Sequence, residues 1–155
     1  MLRKYDDPTQ AVSSLVSSSQ FPGAEFQLDI PVTMLSSAGI KVPDAIVGRD
    51  LQTALDADDW EEEVLSQISE SEVGRALRTT RWKYEIVAPG SDPWNESAAM
   101  IYVESQLYDL LNDPWERQNL IASPEHARIL DKLRQDIGRK MTAIGEDLPV
   151  VVPVE

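Results

Sequence analysis

An α+β fold is what this sequence predicts: a small antiparallel sheet of about four strands, with a C-terminal helix packed on one face and short helices ahead of it. Three observations predict it. Between residues 64 and 110, short runs alternate apolar and polar side chains with a period of two. Between 123 and 145, Leu130, Leu133, Ile137, Met141 and Ile144 recur at spacings of three and four, which makes one helical stripe. Between 26 and 56 the apolar runs are short and broken by Pro31, Gly39, Pro43 and Gly48.

Each element has its own local reason. Phe26, Leu28, Ile30, Val32, Met34, Leu35 and Ala38 supply the apolar positions of a short helix over about 30–38. Asp29 is its candidate N-cap, Pro31 is tolerated in its first turn, and Gly39 stops it. A loop around Pro43 leads through Gly48-Arg49-Asp50 into a second short helix near 50–56. Three strands are expected next, from 64 to 70, from Gly74 to Thr79 and from Trp82 to Val87. Thr79-Thr80-Arg81 forms the turn between the last two. A loop rich in Pro, Gly, Ser, Asp and Asn fills 88–99, and a final strand over 101–110 is broken near Ser105. Ser123-Pro124-Glu125 then opens the long helix with an N-cap, a Pro at the first position and an acid in the first turn; Gly145 closes it. The organisation expected is a poorly structured leader over 1–25, a subdomain over 26–147, and an apolar tail over 148–155. The prolines of that tail argue against a central strand but allow an added edge strand.

The bulk numbers exclude several functions. The chain has 155 residues, most simply one domain, and a formal net charge of -13 from 27 acidic and 14 basic residues. With no surplus of Lys and Arg to displace counterions, no nucleic-acid partner is expected. Docking to an anionic membrane is disfavoured for the same reason, and no window approaches the ~20 apolar residues of a membrane span. The absence of cysteine excludes disulfides, thiolate nucleophiles and cysteine-ligated zinc. Arg3 and Lys4 are followed by no apolar core of a signal peptide, so the expected location is cytoplasmic by default.

Groups able to do chemistry are few. The single histidine, His126, falls in the first turn of the long helix and reads as a helix-end residue. Asp56, Asp58, Asp59, Glu61, Glu62 and Glu63 lack the alternation and the glycine of a calcium loop, so they read as a solvated acidic loop. Trp82, Tyr84, Tyr108, Trp94 and Trp115 have the chemistry to stack on a sugar or a base, but aromatics at strand positions read first as core. Arg78, Arg81 and Lys83, around the hairpin turn, are weak candidates for contacts to an anion. No Walker loop, dinucleotide glycine fingerprint or nucleophile elbow is present.

Three segments carry a family resemblance. The first is Leu28-Asp29-Ile30-Pro31-Val32-Thr33-Met34-Leu35, with Ala38-Gly39-Ile40, Pro43 and Gly48-Arg49-Asp50-Leu51. The second is Arg75-Ala76-Leu77-Arg78-Thr79-Thr80-Arg81-Trp82-Lys83-Tyr84. The third is Gln106-Leu107-Tyr108-Asp109-Leu110-Leu111-Asn112-Asp113-Pro114-Trp115-Glu116-Arg117-Gln118-Asn119-Leu120. In this order they resemble the C-terminal third of the sulfatase family, within the alkaline-phosphatase-like superfamily. The resemblance implies a subdomain that packs on a larger catalytic domain and walls part of its substrate cleft. It also implies that the formylglycine nucleophile and the calcium or magnesium ion belong to that other domain. This chain has no Cys, and no Ser begins a formylglycine motif, so no catalytic, cofactor-binding or metal-ligating residue is carried onto it. The chain alone is therefore expected to be inactive, with no cofactor of its own. Its expected partner is a sulfatase catalytic domain on a separate chain, or a second copy of itself.

Overall fold

The computed structural model describes residues 29–46, 48–54, 63–68 and 71–154. The leader over 1–25, together with Phe26, Leu28 and most of the acidic run, lies outside the described residues. The chain divides into two compact units, Met1–Glu62 and Glu63–Glu155.

In the first unit, helix α1 runs from Asp29 to Ser37 and helix α2 from Leu51 to Ala54. α1 ends as its glycine predicts. Gly39 takes φ 69°, the Ile40 amide donates to the Leu35 carbonyl at 2.9 Å, and the Gly39 amide donates to Ser36 at 3.0 Å. This left-handed closure satisfies the last carbonyls of the helix. Of the expected apolar positions, Val32 is buried while Ile30 and Met34 are exposed. The buried polar residues Asp29 and Thr33 join the two helices: Arg49 N–H donates to Asp29 Oδ1 at 2.7 Å, and Leu51 N–H to Thr33 Oγ1 at 2.9 Å.

The second unit is a five-stranded sheet in the order β1-β2-β3-β4-β5, with helix α3. The strands are β1 Val64–Ile68, β2 Gly74–Arg78, β3 Trp82–Val87, β4 Ile101–Asp109 and β5 Val150–Val152; α3 spans Ala127–Ala143. The four expected strands form an antiparallel meander. The apolar tail adds β5 parallel to β4, with Ile101 opposite Val150. A parallel neighbour needs a long crossover, and α3 supplies it.

The interruption expected near Ser105 is a bulge. Glu85 pairs with Gln106, whereas the next residue, Ile86, pairs with Glu104, so Ser105 has no opposite number. One extra residue inverts the alternation within β4. Tyr102 and Glu104 before it, and Leu107 and Asp109 after it, are all buried.

One face of the sheet and the stripe of α3 make the core. Leu77, Tyr84, Ile86, Tyr102 and Leu107 cluster with Leu130, Leu133, Ile137 and Met141. Burying such side chains contributes about 1.5–3 kcal/mol each. Three readings need correction. Ile144 is exposed, because α3 ends at Ala143 and Ile144 is the cap before Gly145 (φ 90°) turns the chain, with Glu146 N–H donating to the Met141 carbonyl at 3.0 Å. Ser123 makes no side-chain cap, because a 3-10 turn at Pro124–His126 intervenes before α3 starts. Trp94 and Trp115 are exposed rather than core, since both sit in loops and not on strands.

Candidate functional site

The residues singled out by motif and by charge converge on one end of the sheet, where the β2–β3 turn meets the connection from β4 to α3. Thr79 shapes the turn: its hydroxyl accepts the Trp82 and Arg81 amides at 2.8 and 3.2 Å. The Leu110 amide donates to the Arg81 carbonyl at 2.7 Å, which brings the two segments together.

Each candidate anion contact has a carboxylate beside it. The Arg81 guanidinium makes a two-pronged pair with Asp109, closest at 2.8 Å, and lies over the Trp82 ring at 4.8 Å. Lys83 Nζ meets Glu116 Oε2 at 2.5 Å, and Arg78 Nη1 lies 3.8 Å from the other oxygen of the same carboxylate. Lys83 also sits 5.7 Å from the centre of the Tyr108 ring. Glu116 reaches both cations from a left-handed backbone with φ 53°, an uncommon conformation for a side-chain-bearing residue.

Acids and amides of the motif hold its own loop. Asp109 also accepts the Leu111 amide at 3.3 Å and the Asn112 side chain at 2.8 Å. The Arg81 pair chiefly, with the Asn112 and Leu111 hydrogen bonds, holds its carboxyl down to about 2. Asp113 Oδ2 accepts the amides of Arg117 and Gln118 at 2.7 and 2.8 Å. Asn119 Oδ1 accepts the Leu107 and Ile121 amides, while its Nδ2 donates to the Ser105 carbonyl at 3.0 Å. Asn119 thereby supplies the bulge with partners that β3 does not.

His126 stands at the edge of this region. Its ring meets Trp82 edge-on at 5.7 Å and 70°, and its Nδ1 lies 3.1 Å from Ser123 Oγ. The Trp82 packing and the backbone bond from His126 N–H to the Ser123 carbonyl at 3.0 Å make this the start of a helix, as the sequence suggests.

Two buried ionic groups had no local signal in the sequence. Below the helix, Glu104 accepts the Tyr84 hydroxyl at 2.9 Å and the Arg134 guanidinium at 2.7 Å; Arg134 also pairs with Asp131. Burial, with Glu104 close by, pushes the Tyr84 phenol far above its usual range. Near the other end of β2, the fully buried Arg75 is gripped by Glu146 at 2.8 Å and donates to the Ser97 and Gly74 carbonyls, both at 2.7 Å. Its guanidinium also stands 6.0 Å over the Tyr102 ring. On the opposite face of β3, burial and the neighbouring Glu72 push the Glu85 carboxyl upward. Among the described residues, no group of three or more His, Cys, Asp or Glu is arranged to hold a metal ion. The contacts of this region neutralise charge and satisfy backbone groups.

Known proteins are similar to this chain in sequence and in fold. An ulvan-active sulfatase of Formosa agariphila is 25% identical over 77% of this chain, and another from the same organism is 28% identical over 81% of it. The solved structure of a putative sulfatase from Bacteroides thetaiotaomicron superposes on 74% of the chain with a TM-score of 0.56 and 27% identity. A solved 2-O GAG sulfatase also covers 74% of it, with a TM-score of 0.55 and 27% identity. The chain is related to the sulfatases. It spans 22% and 32% of the two Formosa sulfatases, and 24% of each of the two solved chains. The shared part fits a C-terminal sulfatase subdomain, as the order of the three motifs implies. No family profile matches the chain. In this sulfatase-related fold, the motif residues Asp109 and Glu116 fasten the loop to the hairpin, while Asp113 holds the loop's own backbone and Asn119 ties it to β4.

Proposed function

We propose that this chain is a non-catalytic sulfatase subdomain, which supports sulfate-ester hydrolysis only alongside a catalytic domain. The observation that carries the reading is the use of the motif side chains. The carboxylates and the carboxamide that mark the family are occupied by Arg78, Arg81, Lys83 and backbone amides. Added to this, the sequence offers neither a Cys nor a formylglycine motif. A hydrolase needs a positioned nucleophile and an acid or base to serve it.

The catalytic domain would correspond to the part of the relatives outside the matched span, and that span is 22% and 32% of their lengths. The substrate class of such a pair would be a sulfated polysaccharide, after the ulvan and GAG in the names of the similar proteins. The test is an aryl-sulfate assay on the purified chain, with calcium or magnesium added. No turnover above buffer is expected, and metal-dependent hydrolysis that survives repurification would overturn the proposal.

A further inference from the structure

Tyr84 and Ile86 of β3 pack into the core with α3, so strand alternation sets Lys83 and Glu85 together on the other face of the sheet. Their situations differ. Lys83 Nζ is paired with Glu116. Glu85 is only 7% exposed, and among the described residues its carboxylate accepts no hydrogen bond and joins no ion pair. No buried side-chain oxygen among the described residues is both sealed from water and without a partner, so the Glu85 carboxylate still touches solvent. Its cross-strand neighbours, Ala76 on β2 and Gln106 on β4, carry no charge. Burial, then Glu72 ahead of β2 and Glu116 beyond β4, push its carboxyl upward, and Lys83 opposes them. Arg78, opposite Lys83 on β2, lies 3.8 Å from Glu116. Glu116 itself meets these cations from a left-handed backbone, φ 53°, a conformation that persists only where contacts hold it.

We propose that Lys83 is shared between two carboxylates, Glu116 and Glu85, and that a proton on Glu85 decides which of them holds it. With Glu85 neutral, Lys83 has one anionic acceptor and pins Glu116, and with it the 113–118 loop, to the hairpin. With Glu85 ionised, a second carboxylate on the same strand face competes for the ammonium. A lysine suits this exchange, because its charge is compact and its stem flexible, whereas Arg81 is fixed by a two-pronged pair to Asp109. When Lys83 turns to Glu85, Glu116 keeps only the more distant Arg78, whose side chain is 58% exposed. The grip on the loop then weakens. Folding raises the Glu85 carboxyl above the ~4.3 of a free glutamate, so the loop is held in mild acid and loosens as pH rises through the folded value. This inference is independent of the sulfatase reading.

Nuclear magnetic resonance of the wild-type chain, titrated from about pH 4.5 to about pH 8, tests it. The Glu85 carboxyl carbon should titrate above the ~4.3 of a free glutamate. Across that same step, the Overhauser contact between the Lys83 Hε and Glu116 Hγ protons should fall by about half, the value for even sharing between two states. Glu85→Gln keeps the shape of the side chain and removes its charge, so the contact should stay at full strength throughout. Lys83→Met removes the cation that opposes burial, and should move the Glu85 midpoint further up. The wild-type titration stands even where a variant folds poorly. A Glu85 midpoint at the free value, a Lys83–Glu116 contact indifferent to pH, the same pH dependence in Glu85→Gln, or a midpoint unmoved in Lys83→Met would overturn the proposal.

Discussion

Asp109 receives the Arg81 guanidinium on both carboxylate oxygens, at 3.2 Å from Nε and 2.8 Å from Nη2. This pair ties the end of β4 to the turn between β2 and β3. Because the Asp109 carboxyl lies near 2 in the folded chain and about 3.9 in an unfolded one, folding favours its ionised form. Its contribution is complete above about pH 4 and disappears as pH falls through about 2. Asp109→Asn should therefore be less stable than wild type at neutral pH, and the gap should close between about pH 4 and pH 2. Urea titrations at a series of acidic pH values measure this, and parallel stability curves would show that the pair contributes nothing through ionisation.

Glu104 should be the most sensitive charged position in the core. Glu104→Ala leaves the Tyr84 hydroxyl and the Arg134 guanidinium without their shared acceptor, at a cost of about 3 kcal/mol. Tyr84→Phe removes one partner and leaves the Glu104–Arg134 pair, so about 1 kcal/mol is expected. Chemical denaturation separates the two. In an alkaline titration followed by ultraviolet absorbance, Tyr84 should remain silent until the chain unfolds.

Asn119→Ala deletes the acceptor for the Leu107 and Ile121 amides and the donor to the Ser105 carbonyl. The side chain is exposed, so water replaces part of what is lost, and about 1–2 kcal/mol is expected. Hydrogen exchange should accelerate at Ile121, and at Leu107 ahead of the rest of β4. Asn119→Asp keeps the acceptor and should restore most of the protection at those two amides.

Glu146→Ala leaves Arg75 buried with carbonyl partners alone. About 3 kcal/mol of destabilisation is expected from an uncompensated guanidinium. The damage should appear first in the tail, because Glu146 sits four residues before β5 begins at Val150. Faster exchange of the β5 amides than of β2 checks this order, whereas uniform loss of protection would mean that the pair holds the whole sheet.

The sequence made local features legible and long-range ones obscure. Gly39 and Gly145 were readable because a left-handed helix stop has a residue preference of its own. The four antiparallel strands were readable from alternation and from turn residues such as Thr79. The interruption at Ser105 showed as a break in that alternation, although its meaning required β3 alongside. The parallel placement of β5 depends on a crossover through α3, and no property of Val150-Val151-Val152 encodes it. Arg75 and Glu146 are likewise 71 positions apart, so their pairing leaves no local trace. Arg78, Arg81 and Lys83 drew notice as cations, but the carboxylates that meet them lie at the end of β4 and beyond it in sequence. The motif residues from Asp109 to Asn119 announced a family, while the structural work each of them does became visible only with the hairpin in place.

The bulge at Ser105 also bears on which genetic changes this strand can absorb. β4 is written in two opposite phases, with even-numbered residues facing the helix before Ser105 and odd-numbered residues after it. Most substitutions at one position leave both phases intact. Loss of the codon for residue 105 would bring them into step, because Glu104 and Gln106 already face Ile86 and Glu85, neighbours on β3, and Tyr102, Glu104, Leu107 and Asp109 would all keep the helix side. A single in-frame deletion is thus absorbed at the bulge, whereas the same loss at Val103 would make Tyr102 and Glu104 neighbours and set them on opposite faces.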